Sequence, residues 1–292
     1  MMRDPQSSLS SGKLQRGAGC APAQRPWKAT WILKLSGIIH VGCILLAALQ
    51  PGLWTWALGT VLLNHLLITF GVMSPRSKLL GPNMTRLPAA AIQRNEVAIT
   101  FDDGPDPEIT PKVLDLLDQY RAKASFFCIA TKAAAHPDLA RDIVARGHSL
   151  ENHTHSHPHA FATYGPLRLL REIQAAQSGI CAITGIAPEF FRAPMGFRSP
   201  FLAPTVERAG LRYVTWTRRG YDVFAKDAAK VLKRLTQDLG AGDILLLHDG
   251  RSSDALRQSS ITLELLPELL ERLQEQGLKP VTLSQALDPV QA

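Results

Sequence analysis

A chain of 292 residues, 46% hydrophobic and 20% charged, has room for one domain of ~200 residues plus an extension. Its formal charge of +7 and pI near 9.4 fit a mildly basic soluble protein, an anionic partner or a membrane surface, and only the distribution of charge separates these. Cys20, Cys43, Cys128 and Cys181 show no C-x-x-C pair and no regular spacing, which excludes a disulfide framework; unpaired thiols are expected, with a slight lean toward a reducing compartment.

Residues 1–28 are rich in Ser, Gly, Gln and Pro, and Arg3, Lys13, Arg16, Arg25 and Lys28 face only Asp4. They read as a disordered basic tail. Two apolar runs follow, 31–49 and 53–73, separated by Gln50-Pro51-Gly52. Each approaches the ~20 residues that cross a bilayer. Trp27, Trp31, Trp54 and Trp56 sit near their ends, where aromatic belts form. A transmembrane hairpin over 29–73 is the simplest reading. A signal peptide leaves the second run unexplained, and a hairpin buried in a soluble protein needs a large apolar partner surface. Arg76, Lys78 and Arg86 follow the second run while the turn has neither Lys nor Arg, so both termini are expected on the cytoplasmic side. Residues 74–93 read as a linker containing Pro75, Gly81, Pro82 and Pro88.

From residue 94 to 286 short apolar runs alternate with helical stretches. Strands are expected at 97–101, 124–129, 190–192, 213–216, 243–247 and 280–283, with a further short strand ahead of Glu151. Helices are expected at 111–120, 137–146, 166–183, 228–239 and 263–276. Pro111 and Pro137 suit helix starts, and Gly147, Gly240 and Gly277 suit helix ends. This alternation implies a parallel sheet or barrel, with polar sites just after strand ends. Residues 287–292 read as a tail.

Asp102 and Asp103 follow the first strand, where Gly104-Pro105 turns the chain. The pair alone is ordinary turn chemistry. His153, His155, His157 and His159 crowd one short segment. Extended backbone would put alternate residues on one face, and a helical turn would pair His153 with His157. Two His plus a carboxylate is an established metal arrangement. His248-Asp249 ends an apolar strand, where a His can serve as acid or base. Arg192 leaves Phe190-Phe191 and can clamp a carboxylate.

Four segments occur together and in order: Thr100-Phe101-Asp102-Asp103-Gly104-Pro105, His153-Thr154-His155-Ser156-His157, Arg192-Ala193-Pro194-Met195-Gly196 and Leu245-Leu246-Leu247-His248-Asp249. Together they resemble the polysaccharide deacetylases with the NodB homology domain, carbohydrate esterase family 4. The resemblance implies an α/β fold, a distorted (β/α) barrel, over 94–286. It implies a divalent ion on Asp103, His153 and His157, zinc by preference, with cobalt, nickel or manganese acceptable to the same donors. It implies Asp102 as general base, oriented by Arg192, and His248 as general acid, tuned by Asp222. Leu245 and Leu247 would shape the acyl pocket, and the Met195 N–H would contribute to an oxyanion hole.

The sequence departs from the family pattern at Val223, where a Trp is usual, and at Met195, where an aromatic residue is usual. Both normally wall the sugar groove, so binding of a long polymer is put in doubt. Arg218-Arg219 lies nearby and is either a solvated basic loop or a phosphate contact. The expected activity is hydrolysis of an amide C–N bond, removing an N-acetyl or other N-acyl group from an amino-sugar-containing carbohydrate. The alternatives are a deacylase or deformylase of a lipid-linked phosphosugar, and an inactive carbohydrate-binding homologue. Expected partners are a carbohydrate, polymeric or lipid-linked, and the membrane, with no nucleic acid.

Overall fold

The computed structural model describes residues 25–250 and 258–288; most of the expected 1–28 and 287–292 tails lies outside them, as does Cys20. Two apolar helices come first, α1 (Trp31–Leu49) and α2 (Trp54–Met73), then the short α3 (Ala89–Gln93). Next are β1 (Glu96–Asp102), α4 (Thr110–Gln119), β2 (Ala124–Cys128), α5 (Ala130–Ala135), α6 (Pro137–Ala145), β3 (Ser149–Asn152), α7 (Pro166–Thr184) and β4 (Phe190–Phe191). The chain continues through α8 (Leu202–Arg208), β5 (Arg212–Tyr213), β6 (Arg218–Arg219), α9 (Ala228–Thr236), β7 (Ile244–His248), α10 (Gln258–Glu275), β8 (Lys279–Pro280) and α11 (Leu283–Leu287).

Every strand pairing is parallel, in the order β5-β4-β3-β2-β1-β7-β6, with β8 beside the start of β1. The sheet curls into a half-barrel that stays open between β5 and β6. Side-chain alternation divides its two faces. Val97, Ile99 and Phe101 of β1 and Leu245 and Leu247 of β7 face outward into the main core, with Val113 and Leu117 of α4, Val231 and Leu235 of α9, and Leu269 and Leu273 of α10. Thr100, Asp102, Leu246 and His248 have the opposite parity and face the interior.

Most expected elements appear within a few residues of their limits. The strand expected at 280–283 is shorter, because Thr282 caps α11 and its hydroxyl accepts from the Gln285 N–H at 3.1 Å. β6 was not foreseen, since its two arginines carry no apolar signal.

The expectation of unpaired thiols fails at Cys181, which is disulfide-bonded, while Cys43 and Cys128 are free. The lean toward a reducing compartment loses that support.

α1 and α2 pack together along a polar seam. Asn64 Nδ2 donates to Ser36 Oγ at 2.9 Å, and His40 Nδ1 lies 2.6 Å from the Ser36 carbonyl. Outside the seam, Ile38, Ile44, Leu62, Leu66 and Phe70 are each more than half exposed. The rest of the described chain does not cover them, contrary to a hairpin buried within a soluble fold.

The 74–93 segment is built into the domain rather than slung between two bodies. Leu80, Leu87 and Ala91 are buried. Met84 bridges to Val214 at the open side of the half-barrel: its N–H donates to the Tyr213 carbonyl and its carbonyl accepts from Thr215 N–H, both at 3.0 Å. Buried Asn83 donates to the Pro75 and Ser77 carbonyls at 2.8 and 3.2 Å and accepts from the Thr215 hydroxyl at 3.0 Å. Asn83→Ala strands these groups, a loss of about 1–3 kcal/mol. Thermal unfolding of the full chain in detergent should show the lowered midpoint; an unchanged midpoint would mean that the segment is not part of the folded unit.

Candidate metal centre and active-site cleft

β1 delivers two carboxylates in opposite directions. Asp102 is its last residue and pairs in register with His248 of β7. Asp103 turns away with φ of 70°. Gly104 follows because a side chain there would run into the Asp249 carboxyl. That carboxyl accepts from the Thr110 hydroxyl at 2.7 Å, and burial raises it to about 7. Lys132 Nζ donates to the Asp103 carbonyl at 2.8 Å, fixing the turn from the other side.

The histidine segment leaves β3 in neither of the two regular conformations considered above. Thr154 and His157 both have positive φ, 71° and 51°. The Thr154 hydroxyl accepts the His157 N–H at 3.0 Å, while Thr154 N–H donates to Asn152 Oδ1 at 3.0 Å. This tight loop folds His157 back beside His153. Their Nε2 atoms lie 3.2 and 3.4 Å from Asp103 Oδ1. His153 Nδ1 lies 2.9 Å from the Arg192 carbonyl; a proton there donates to that carbonyl and leaves Nε2 with its lone pair free. Burial, then the neighbouring His153, lowers His157 to about 4, so it is neutral at ordinary pH. Burial alone would raise the Asp103 carboxyl, but the imidazoles around it, His153 first and then His248, hold it well below the carboxylate range. The three ligand atoms lie within 4.8 Å of one another, and Asp103 Oδ1 is buried without a hydrogen-bond partner. These donors fit a divalent cation. His155 is exposed and outside the group, and His159 meets only the edge of the His157 ring.

Arg192 is fully buried inside the half-barrel. Its Nη1 donates to Asp102 Oδ1 at 2.7 Å and Thr100 Oγ1 at 2.9 Å, and its Nη2 to the Thr215 carbonyl at 2.9 Å. Asp102 Oδ2 is left facing the cluster, 3.9 Å from His153 Nε2.

On the opposite side Asp222 accepts from His248 twice, from Nδ1 at 2.9 Å and from the backbone N–H at 2.8 Å. The Thr262 hydroxyl adds a third contact at 3.1 Å. Burial alone would discharge His248; the Asp222 charge and hydrogen bond, then the charges of Asp103 and Asp102, outweigh it and raise the imidazole to about 9. Asp102, Asp103, His153, His157 and His248 line a cleft of about 340 Å³.

The model of the family described as polysaccharide deacetylase matches residues 90–214. A peptidoglycan-N-acetylglucosamine deacetylase of Bacillus cereus is 34% identical over 193 residues, covering 65% of this chain and 87% of that protein. A chitooligosaccharide deacetylase of Bradyrhizobium sp. is 34% identical over 208 residues, covering 66% of this chain and 94% of that one. Among solved structures, the Bc1960 peptidoglycan N-acetylglucosamine deacetylase in complex with 4-naphthalen-1-yl-N-oxidanyl-benzamide superposes with a TM-score of 0.63 at 28% identity, covering 70% of this chain and 92% of that one. The chain belongs to the polysaccharide deacetylase family.

The cleft departs in part from the expected lining. Met195 stands at its lip, 42% exposed, with φ of 56°. Leu245 and Leu247 do not reach it: they point into the outer core, and Leu246 faces the cleft instead. Arg218 is likewise turned away, its Nε donating to Asp243 at 3.0 Å and its other nitrogens to the Gln237 and Asp238 carbonyls. Arg219, on the other face of β6, lines the cleft. Val223 lines it as well, but the wall is not devoid of aromatics, because Phe197, Trp216 and Tyr221 supply them from other positions. Sequence reasoning missed these three and Thr262; alternation along β7 and β6, anchored on His248, would have picked Leu246 over its neighbours.

Metal binding is checked by titrating the metal-stripped full chain with zinc in a calorimeter. His153→Ala and Asp103→Ala should each abolish binding, whereas His155→Ala should leave it intact. Loss on His155→Ala with retention on His157→Ala would overturn this set of donors.

Proposed function

We propose that this chain is a metal-dependent hydrolase that removes an N-acyl group, acetyl in the first instance, from an amino sugar. The observation that carries the proposal is the placement of Asp102 Oδ2 beside the Asp103–His153–His157 group, whose Asp103 Oδ1 has no hydrogen-bond partner, on one side of the cleft and of His248 on the other. The deacetylase names of the relatives support it. Zinc is the preferred ion for one carboxylate and two imidazoles. A divalent ion held there supplies Lewis acidity to an amide carbonyl and to water.

The protein's own groups handle the protons. Asp102 takes one on Oδ2, because Arg192 already occupies Oδ1. His248 gives one from Nε2 to the departing nitrogen, which must not leave as a bare anion. Asp222 keeps that imidazole charged and fixes Nδ1 as the inward donor. The Met195 N–H, displayed by its left-handed backbone at the lip, is assigned to the developing oxyanion.

The two apolar helices are read as a membrane anchor. The basic residues flanking the hairpin favour the cytoplasmic side for the catalytic domain; the disulfide at Cys181 favours the opposite side. A reporter fused after Ala292 measures which holds: cytoplasmic reporter activity is expected, and activity only of a periplasmic-type reporter would reverse the orientation.

Two variants test the chemistry. Asp102→Asn keeps the metal and lowers kcat by about 10²–10⁴-fold, measured as amine release from an N-acetylglucosamine oligomer; retained kcat would remove Asp102 from its role. For His248 the charged form is the active one, so activity is full below its raised pKa and falls as pH rises through about 9. Asp222→Asn removes the chief partner that raises it, so the basic limb of the pH–rate profile should move to lower pH. An unmoved limb would assign it to another group.

A further inference from the structure

The cleft is not walled by the catalytic domain alone. α2 ends at Met73, and two further residues span at most ~7 Å. Pro75 is already in contact with Gly196 of the cleft wall: a Cβ built on Gly196 would stand 3.2 Å from the Pro75 ring and 2.5 Å from the Trp216 ring. The segment is fastened in place. Arg198 Nη2 donates to the Ser77 carbonyl at 2.7 Å and Arg76 Nη1 to the Thr217 carbonyl at 3.2 Å. Leu80 packs on Gly71 in the last turn of α2. The end of the apolar hairpin and the cleft wall therefore form one piece, and the reacting groups cannot swing far from whatever surface the hairpin enters.

Arg219 supplies an independent observation. Its guanidinium lies 5.0 Å from the Trp216 ring and 4.8 Å from the Tyr221 ring. Its Nε is buried and no hydrogen bond satisfies it. Among the described residues no carboxylate pairs with it, whereas its neighbour Arg218 is taken up by Asp243. A guanidinium held between two rings, lining a cleft and left without a counter-ion, is suited to an anion with several acceptor oxygens, and its fork matches phosphate. Beside it, Met195 and half-exposed Tyr221 offer an apolar lip.

We propose that the substrate is an amino sugar joined through phosphate to a membrane lipid, with Arg219 contacting the phosphate. The proposal rests on the deacylase and membrane-anchor readings above. A cleft wall fastened to the end of its own anchor keeps the reacting groups close to the membrane surface, where a lipid-linked substrate is concentrated.

The experiment uses the full chain in phospholipid vesicles with zinc. One N-acetylamino sugar is presented as a polyprenyl-phosphate-linked lipid in the same vesicles, as the free sugar 1-phosphate and as a neutral oligomer. The lipid-linked form should be turned over best. Arg219→Gln should raise KM for both phosphorylated forms about ten-fold more than for the oligomer, the loss of one charge-assisted hydrogen bond. Equilibrium binding of the same three forms to Asp102→Asn protein should follow the same order. If no form is turned over but binding keeps this order, the hydrolase reading fails and the ligand class stands. If the free phosphate equals the lipid-linked form, the membrane part is overturned. If the oligomer is best and Arg219→Gln affects all three alike, the whole proposal is overturned while the deacylase reading survives.

Discussion

The site depends on one buried residue used at both ends. The Arg192 side chain grips Asp102 at 2.7 Å, and the Arg192 backbone carbonyl lies 2.9 Å from His153 Nδ1. The proposed base, Asp102, and a proposed metal donor, His153, thus take their orientation from the same residue. Burying a guanidinium and a carboxylate carries a desolvation penalty that their attraction offsets only with further hydrogen bonds. Thr100 and the Thr215 carbonyl supply those bonds, and the Phe127 ring lies 4.1 Å from the guanidinium carbon. The pair ties β1, β4 and the 214–217 segment together across the interior of an unclosed sheet. Replacing either partner alone would leave an uncompensated charge inside the half-barrel, so folding and chemistry are linked at this point.

Much of this was legible in the sequence because strand ends advertise themselves. Asp102, Asp103 and His248 follow apolar runs directly, and parallel strands bring such ends to one rim. The pairing of His153 with His157 was legible as a spacing, but its mechanism was not: a loop with two left-handed residues, Thr154 and His157, brings them together. Alternation along β7 was equally visible, yet the face was misjudged at Leu245 and Leu247. His248 belongs to the cleft, so the residue two before it does too. The same parity separates Arg219 from Arg218 in β6. Tyr221 escaped notice because it comes from irregular backbone, where no period constrains direction, with φ of 60°; Trp216 was expected inside a strand, but β5 ends at Tyr213 and the backbone at Trp216 is irregular.

The polar seam of the hairpin follows the same logic of satisfaction. Ser36 and Asn64 would be liabilities in an apolar helix surface, and they answer each other across the pair. Their burial sets which faces of α1 and α2 meet and leaves the large aliphatic side chains outward.

The bridge between Met84 and Val214 has a consequence for how the domain can be cut. The open side of the half-barrel bares strand edges, and exposed edges recruit other chains. Met84 occupies that edge with two backbone hydrogen bonds, while Leu80 and Leu87 seal the adjoining core. A fragment trimmed to the compact motif-bearing region, starting near residue 94, would lose this plug and present an unprotected parallel edge on the same half-barrel as the cleft. Its behaviour in solution would report self-association rather than the properties of the intact chain, and a boundary ahead of Pro75 is the one that respects the fold.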